Sequence, residues 1–164
     1  MIETARLRLE EYKLMDAPFI YTLMNSEGWL KNIGDRNIQS VEDAEKYMQK
    51  NYFSLYEKYG YGPYLVTLKE TGEPIGSAGL YKRDGLDHPD IGFAFLPKFW
   101  HQGYAFEAAE GVLKFAENKL NIEKIAGIVM PDNSASIRLL ERLGLKEVGT
   151  YVYEDGEPLL LYSK

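Results

Sequence analysis

Between Phe95 and Ala116 the chain passes from an apolar strand end, through His101-Gln102-Gly103-Tyr104-Ala105, into a strongly amphipathic stretch. This passage limits the fold more than any other feature. Ala105, Ala108, Ala109, Val112, Leu113, Ala116 and Leu120 recur at the i, i+3, i+4, i+7 spacing of one buried helical face, which predicts a helix starting near Gly103. The first N–H groups of a helix have no partner within it, and its dipole is positive there, so such a start is a ready anion site. The small residues Gly103 and Ala105 allow a phosphate to approach the main chain closely. Taken alone, the five loop residues are explained as well by a turn glycine and a packing alanine.

The flanking segments are both strand-like. Asp90-Ile91-Gly92-Phe93-Ala94-Phe95-Leu96 alternates large and small residues and is closed by Pro97. Lys124 to Met130 is a nearly continuous apolar run, as in a strand covered on both faces. Strand, helix and strand predict a right-handed parallel crossover, with both strand ends at the carboxyl edge of the sheet, where open α/β sheets bind ligands. Pro131 to Ser136 then opens a helix on Ile137, Leu139, Leu140 and Leu143, with Asn133 as its N-cap and Gly144 as its C-terminal cap.

The remaining segments frame this unit. Leu7, Leu9 and Glu11 alternate with Arg6, Arg8 and Glu10 as a first strand. Asp16 begins a helix on Phe19, Ile20, Leu23 and Met24, and the Asn25–Gly34 region is expected to break into loop. Ser40, with Glu42 and Asp43, caps a second helical stretch to about Tyr59. That stretch carries Tyr47, Tyr52, Phe53, Tyr56 and Tyr59, an aromatic density that suits either a core or a pocket wall. YGPYLVTL, a Thr71-Gly72 turn and PIGSAGLY read as a hairpin, and the tail around Asp155-Gly156 as a second.

Composition narrows the function classes. The 164 residues, 45% hydrophobic and 27% charged, predict a single domain over residues 1–164. Without cysteine there is no disulfide, thiolate metal site or cysteine nucleophile, in keeping with a cytoplasmic location. A net charge of −6 speaks against a general nucleic-acid binder, and neither a membrane span nor a signal peptide is read in the chain.

Four stretches, in order, resemble the GCN5-related N-acetyltransferase (GNAT) superfamily and its ribosomal-protein N-acetyltransferase branch, the RimJ/RimL type. They are Thr4-Ala5-Arg6-Leu7-Arg8-Leu9, Pro74 to Leu80, Trp100 to Ala108, and Asn133-Ser134-Ala135-Ser136-Ile137. The resemblance implies an α/β fold with a mixed, mostly antiparallel sheet of about seven strands, a parallel pair at the cofactor cleft, and about four flanking helices. It implies acetyl-CoA as cosubstrate, no metal, and a primary amine acceptor such as a protein N-terminus, a polyamine or another small amine, with the protein a monomer or homodimer.

By the same resemblance the pantetheine arm pairs with main chain at Phe93, Ala94 and Phe95. The N–H groups of His101, Gln102, Gly103, Tyr104, Ala105 and Phe106 hold the pyrophosphate, and Asn133 and Ser136 add side-chain contacts. The Phe95 N–H polarises the thioester carbonyl. The chain departs from the pattern in Trp100, where Gln or Arg is usual, and in Leu140 and Ile128, where many members carry a tyrosine acid and a glutamate base. Asp90 is the candidate base, ahead of His101 and Glu107. A CoA-binding regulatory module without turnover is the alternative that those departures support.

Overall fold

The computed structural model describes residues 1–152 and 156–164, so Asp155 of the expected Asp155-Gly156 turn lies outside the described residues. In chain order the elements are β1 (Ile2–Glu3), β2 (Leu7–Glu11), α1 (Ala17–Met24), α2 (Glu27–Asn32), α3 (Val41–Met48), α4 (Ser54–Tyr59), β3 (Pro63–Leu68), β4 (Pro74–Tyr81), β5 (Asp90–Phe95), α5 (Tyr104–Leu120), β6 (Ala126–Val129), α6 (Ser134–Arg142), β7 (Lys146–Val152) and β8 (Pro158–Ser163). A π-helical turn, Gln49–Phe53, joins α3 to α4. The strands form one sheet in the order β1-β2-β3-β4-β5-β6-β8-β7, antiparallel except for β5 beside β6. It is thus a mixed sheet with eight strands instead of about seven, the addition being the short β1.

Each face of the sheet is covered by a separate cluster. Leu7, Leu9, Val66, Leu80, Val112 and Leu140 belong to the core under α5 and α6, while Ile20, Leu23, Met24, Ala44, Met48 and Tyr52 fill the one under α1 to α4. The alternation read in the first strand produces this sidedness directly, since Leu7 and Leu9 are fully buried. Ser40 caps α3 as expected, its hydroxyl accepting from Asp43 N–H at 3.0 Å. At the end of α6 the N–H of Gly144 (φ 93°) donates to Glu141 C=O and that of Leu145 to Leu140 C=O, a Schellman closure.

The expected loop over the Asn25–Gly34 region is instead interrupted by α2. Gly28 there reads as a helix breaker, yet a Cβ at this position would lie 2.4 Å from Cζ2 of Trp100. Close packing selects the glycine, and tertiary contact overrides its poor helix propensity. Trp29, beside it, is buried. Among the described residues no helix is long and apolar enough to cross a membrane.

The joint between β3 and β4 gives a test of the packing. A Cβ on Gly79 would meet Gly62 O at 2.2 Å and Pro63 Cα at 2.5 Å, both main-chain atoms. Gly79→Ala is expected to cost about 1–3 kcal/mol and lower Tm by roughly 2–12 °C. Gly149→Ala, whose Cβ meets nothing within 4 Å, should melt like the parent. Equal Tm values for the two variants in a thermal scan would refute this packing.

Candidate active site

β5 and β6 begin as neighbours and then part. Their one registered pair is Asp90↔Ala126, supported by Ala126 N–H donating to Pro89 C=O at 2.9 Å. β5 is buried at Asp90, Ile91 and Phe95 but half-open at Gly92, Phe93 and Ala94, unusual for the middle of a central strand. The cleft implied by the crossover is therefore a wedge, closed at Asp90.

The direction of each main-chain group on β5 follows from its pairing with β4. Leu96 N–H donates to Ile75 C=O at 3.0 Å, continuing the register Gly76↔Phe95. Antiparallel pairs alternate between hydrogen-bonded and non-bonded, so the main chain of Ala94 faces Ser77 on β4, while that of Phe93 and Phe95 faces the wedge. Phe95 C=O is already taken by the indole Nε1–H of Trp100 at 2.8 Å. This leaves Phe93 N–H, Phe93 C=O and Phe95 N–H facing the gap. Of the three expected residues, Ala94 thus offers no main-chain group to it.

The loop beyond β5 supplies donors. The N–H groups from His101 to Phe106 donate to no other group among the described residues; the first amide of the segment to find an acceptor is Glu107, bonded to Gly103 C=O at 3.1 Å. His101 (φ 62°) and Gly103 (φ 82°) are both left-handed, the kind of backbone that turns successive N–H groups into one concavity. For a non-glycine residue this conformation costs of order 1–3 kcal/mol, and such strain is concentrated at functional sites. Sequence alone gave no sign of it at His101.

Side chains distant in sequence hold this loop. The Glu107 carboxylate accepts from Thr4 Oγ1 (2.6 Å), Arg6 N–H (2.7 Å) and Arg6 Nε (2.7 Å). Arg6 Nη1 donates to Gln102 C=O at 3.0 Å, and the guanidinium lies 4.3 Å from the Tyr104 ring centre. Burial works to raise the Glu107 pKa, but the bonds from Thr4 and Arg6 together outweigh it and hold the carboxyl below its ordinary range. Thr4 and Arg6 are side chains that sequence reasoning gave no role, because the contact spans about a hundred residues.

Across the wedge, Asn133 Oδ1 accepts from Ser136 N–H at 3.3 Å, so the N-cap is present and the Asn133 amide donors stay unspent. Ser136 is half-buried in the same turn. Arg142, at the far end of α6, stacks 4.0 Å from the ring centre of Phe106. Leu140 is buried and packs towards Gly127, and Ile128 pairs with Leu161 on β8, so neither position offers a titrating group. Asp90 is 1% exposed, and Arg83 Nε contacts both its oxygens, at 3.1 and 3.0 Å. Burial raises its pKa and Arg83 opposes the rise. Among the described residues no cluster of His, Cys, Asp and Glu is arranged to hold a metal ion.

Residues 6–146 match the family described as acetyltransferase (GNAT) domain. The chain is 28% identical over 162 residues to the uncharacterized N-acetyltransferase YoaA of Bacillus subtilis, covering 96% of this chain and 91% of that one. Its fold is similar to that of RimL, a ribosomal L7/L12 α-N-protein acetyltransferase in complex with coenzyme A, with a TM-score of 0.83, 19% identity, and 98% and 94% of the two chains covered. It is also similar to the ribosomal-protein-S5-alanine acetyltransferase of Vibrio fischeri, with a TM-score of 0.81, 18% identity, and 99% and 94% covered.

The clamp on the loop has a pH signature. A carboxyl with a lowered folded pKa contributes stability above its unfolded value, near 4.5, and loses it as pH falls through the folded pKa. Wild type should therefore melt above Glu107→Gln at pH 7, and the gap should shrink as pH drops below about 4.5. A gap unchanged at acid pH in paired thermal scans would remove Glu107 as the charged centre of the clamp.

Proposed function

The chain belongs to the GNAT acetyltransferase family, and on that premise we propose that it transfers the acetyl group of acetyl-CoA to a primary amine by direct attack within one ternary complex. The observation that carries this reading is the run of unspent N–H groups from His101 to Phe106 beside the open edge of β5. The two features suit the two ends of one molecule. A pyrophosphate needs several convergent donors and no side-chain bulk, which the loop offers at Gly103. An amide-containing arm needs alternating main-chain donors and acceptors, which Phe93 N–H, Phe93 C=O and Phe95 N–H offer.

In this proposal Phe93 aligns the arm, and the Phe95 N–H donates to the acetyl carbonyl as negative charge develops on its oxygen. Asn133 donates from its amide to the acetyl end while its oxygen caps α6. The amine nitrogen forms a bond to the carbonyl carbon, the carbon–sulfur bond breaks, and the proton lost by nitrogen is passed through solvent to the thiolate. With Leu140 and Ile128 where an acid and a base would stand, positioning is the main resource of this site. Holding two reactants in attack geometry supplies up to about 7–11 kcal/mol, against the roughly 10²- to 10⁴-fold of a placed general base. Asp90, bound by Arg83 at the closed end of the wedge, acts here as a strut.

Calorimetry with CoA tests the cleft. Gly103→Val, forced into a left-handed conformation and placing bulk beside the N–H groups, should weaken binding by at least about 1–3 kcal/mol in a protein that still folds. Asn133→Asp keeps a capping oxygen and loses the amide donor, so unchanged turnover would reduce Asn133 to a cap. For the chemistry, the pH–rate profiles of two acceptors differing by about 2 units in amine pKa should shift with the acceptor, and Asp90→Asn should lower kcat/KM by less than about tenfold. One inflection shared by both acceptors and missing in Asp90→Asn would identify Asp90 as the base.

A further inference from the structure

Trp100 stands at the joint between the end of β5 and the loop from His101 to Phe106, and its side chain is divided between two neighbours. The indole Nε1–H donates to Phe95 C=O at 2.8 Å. The other edge of the same ring fills the space over Gly28 of α2, where a Cβ would lie 2.4 Å from Cζ2 and 2.9 Å from Cη2. The residue stays 40% exposed, so burial of apolar surface is only part of what it does.

The carbonyl that it binds adjoins the reacting end of the wedge. The peptide before Phe95 is anchored through Ala94, which faces Ser77 on β4. The peptide after it is tied at both ends, its N–H (Leu96) to Ile75 C=O at 3.0 Å and its C=O to the indole. Phe95 N–H is thus held from both flanks. Without the indole the later peptide would keep one anchor, at the last residue of β5 and next to Pro97. The same bond sets the local field. In an extended residue N–H and C=O point to the same side, so the Phe95 oxygen faces the gap beside the Phe95 N–H. A bare carbonyl there would oppose negative charge growing on an acetyl oxygen, and the indole N–H offsets it.

We propose that Trp100 is a positioning residue for the acetyl group. It holds the Phe95 N–H in the direction in which that group polarises the thioester carbonyl, and its contact with Gly28 ties this direction to α2, on the face of the sheet opposite α5. The proposal rests on the acetyltransferase reading above, in which Phe95 N–H meets the acetyl oxygen. Trp100 itself touches no reacting atom.

The test reads the carbonyl directly. In isotope-edited infrared spectra of acetyl-CoA labelled at its acetyl carbonyl, the C=O stretch should lie lower when bound to wild type than when free, since a hydrogen bond weakens the double bond. In Trp100→Phe, which keeps a ring against Gly28 and loses the donor, the stretch should move back toward the free value. Gly28→Ala should do the same from the other side, because its Cβ displaces the indole, although alanine is the better helix former. CoA lacks the acetyl oxygen, so its affinity by calorimetry should be unchanged in both variants. Replacing Trp100 by β-(3-benzothienyl)alanine, a ring of the same shape without the N–H, repeats the measurement should Trp100→Phe fail to fold. A role in stability alone would lower Tm and leave the bound stretch at its wild-type position, which overturns the proposal while the Phe95 reading stands. A loss of CoA affinity matching that of acetyl-CoA would make Trp100 a support of the loop and overturn it equally. A stretch at the free value in wild type that binds acetyl-CoA removes the Phe95 reading and this proposal with it; absence of CoA binding removes the acetyltransferase reading itself.

Discussion

A strand in the middle of a sheet parts from its neighbour only at the cost of main-chain hydrogen bonds, and β5 does so after a single registered pair with β6. On its other edge β5 stays fully paired to β4 from Asp90 to Phe95, so the strand itself is held firmly. What it gives up is the alternate set of N–H and C=O groups at Phe93 and Phe95. The wedge thus has fixed polar groups on a rigid strand, with no flexible loop needed to present them. Preorganised donors of that kind act without reorganising when charge develops on a substrate.

Groups left unspent cannot hold themselves in place, and the loop from His101 to Phe106 is accordingly braced from outside. On one side Arg6 ties Gln102 C=O to the Glu107 carboxylate, joining the strand β2 entrance to the first turn of α5. On the other, Trp100 donates to Phe95 C=O and lays its ring against Gly28 of α2. Glu107 is itself an anion at a helix start, where the dipole favours it but where it would repel a phosphate. Its pairing with Arg6 cancels that charge locally. The two braces also explain why the first segment of the chain and α2, which touch no candidate reacting atom, are tied to the geometry of the cleft.

The sequence disclosed the elements whose cause is local and concealed those whose cause is distant. The face of α5, the cap at Ser40, the alternation in β2 and the Gly144 closure all depend on residues within a few positions, so periodicity and capping rules found them. The helix at 27–32 was hidden because Gly28 answers to Trp100, more than seventy residues away. His101 was readable as a loop residue but not as a left-handed one. Among the candidate site residues, the loop from His101 to Phe106 and the capping oxygen of Asn133 were legible from a helix start and an N-cap. The division of labour within Phe93, Ala94 and Phe95 was not, because it depends on which of two edges each group faces, and that is fixed only by the pairing with β4.

At Leu140, where the resemblance would place an acid, the position is committed to packing. Its carbonyl receives the Leu145 N–H in the Schellman closure, and its side chain packs towards Gly127 within the core shared by α5 and α6. A phenol at that position would have to displace part of this packing, and the interior penalises added volume. Around Leu140 the core under α5 and α6 is thus closed by apolar packing. The opposite face retains tyrosine and serine hydroxyls, two of them buried without partners, an arrangement that costs stability and that an apolar core would avoid. Phenols occur on both faces, with Tyr61, Tyr64 and Tyr162 in the core under α5 and α6, but the buried hydroxyls of Tyr12 and Ser77 lie on the face under α1 to α4. The wedge at Phe93 and Phe95 is where the two sides meet.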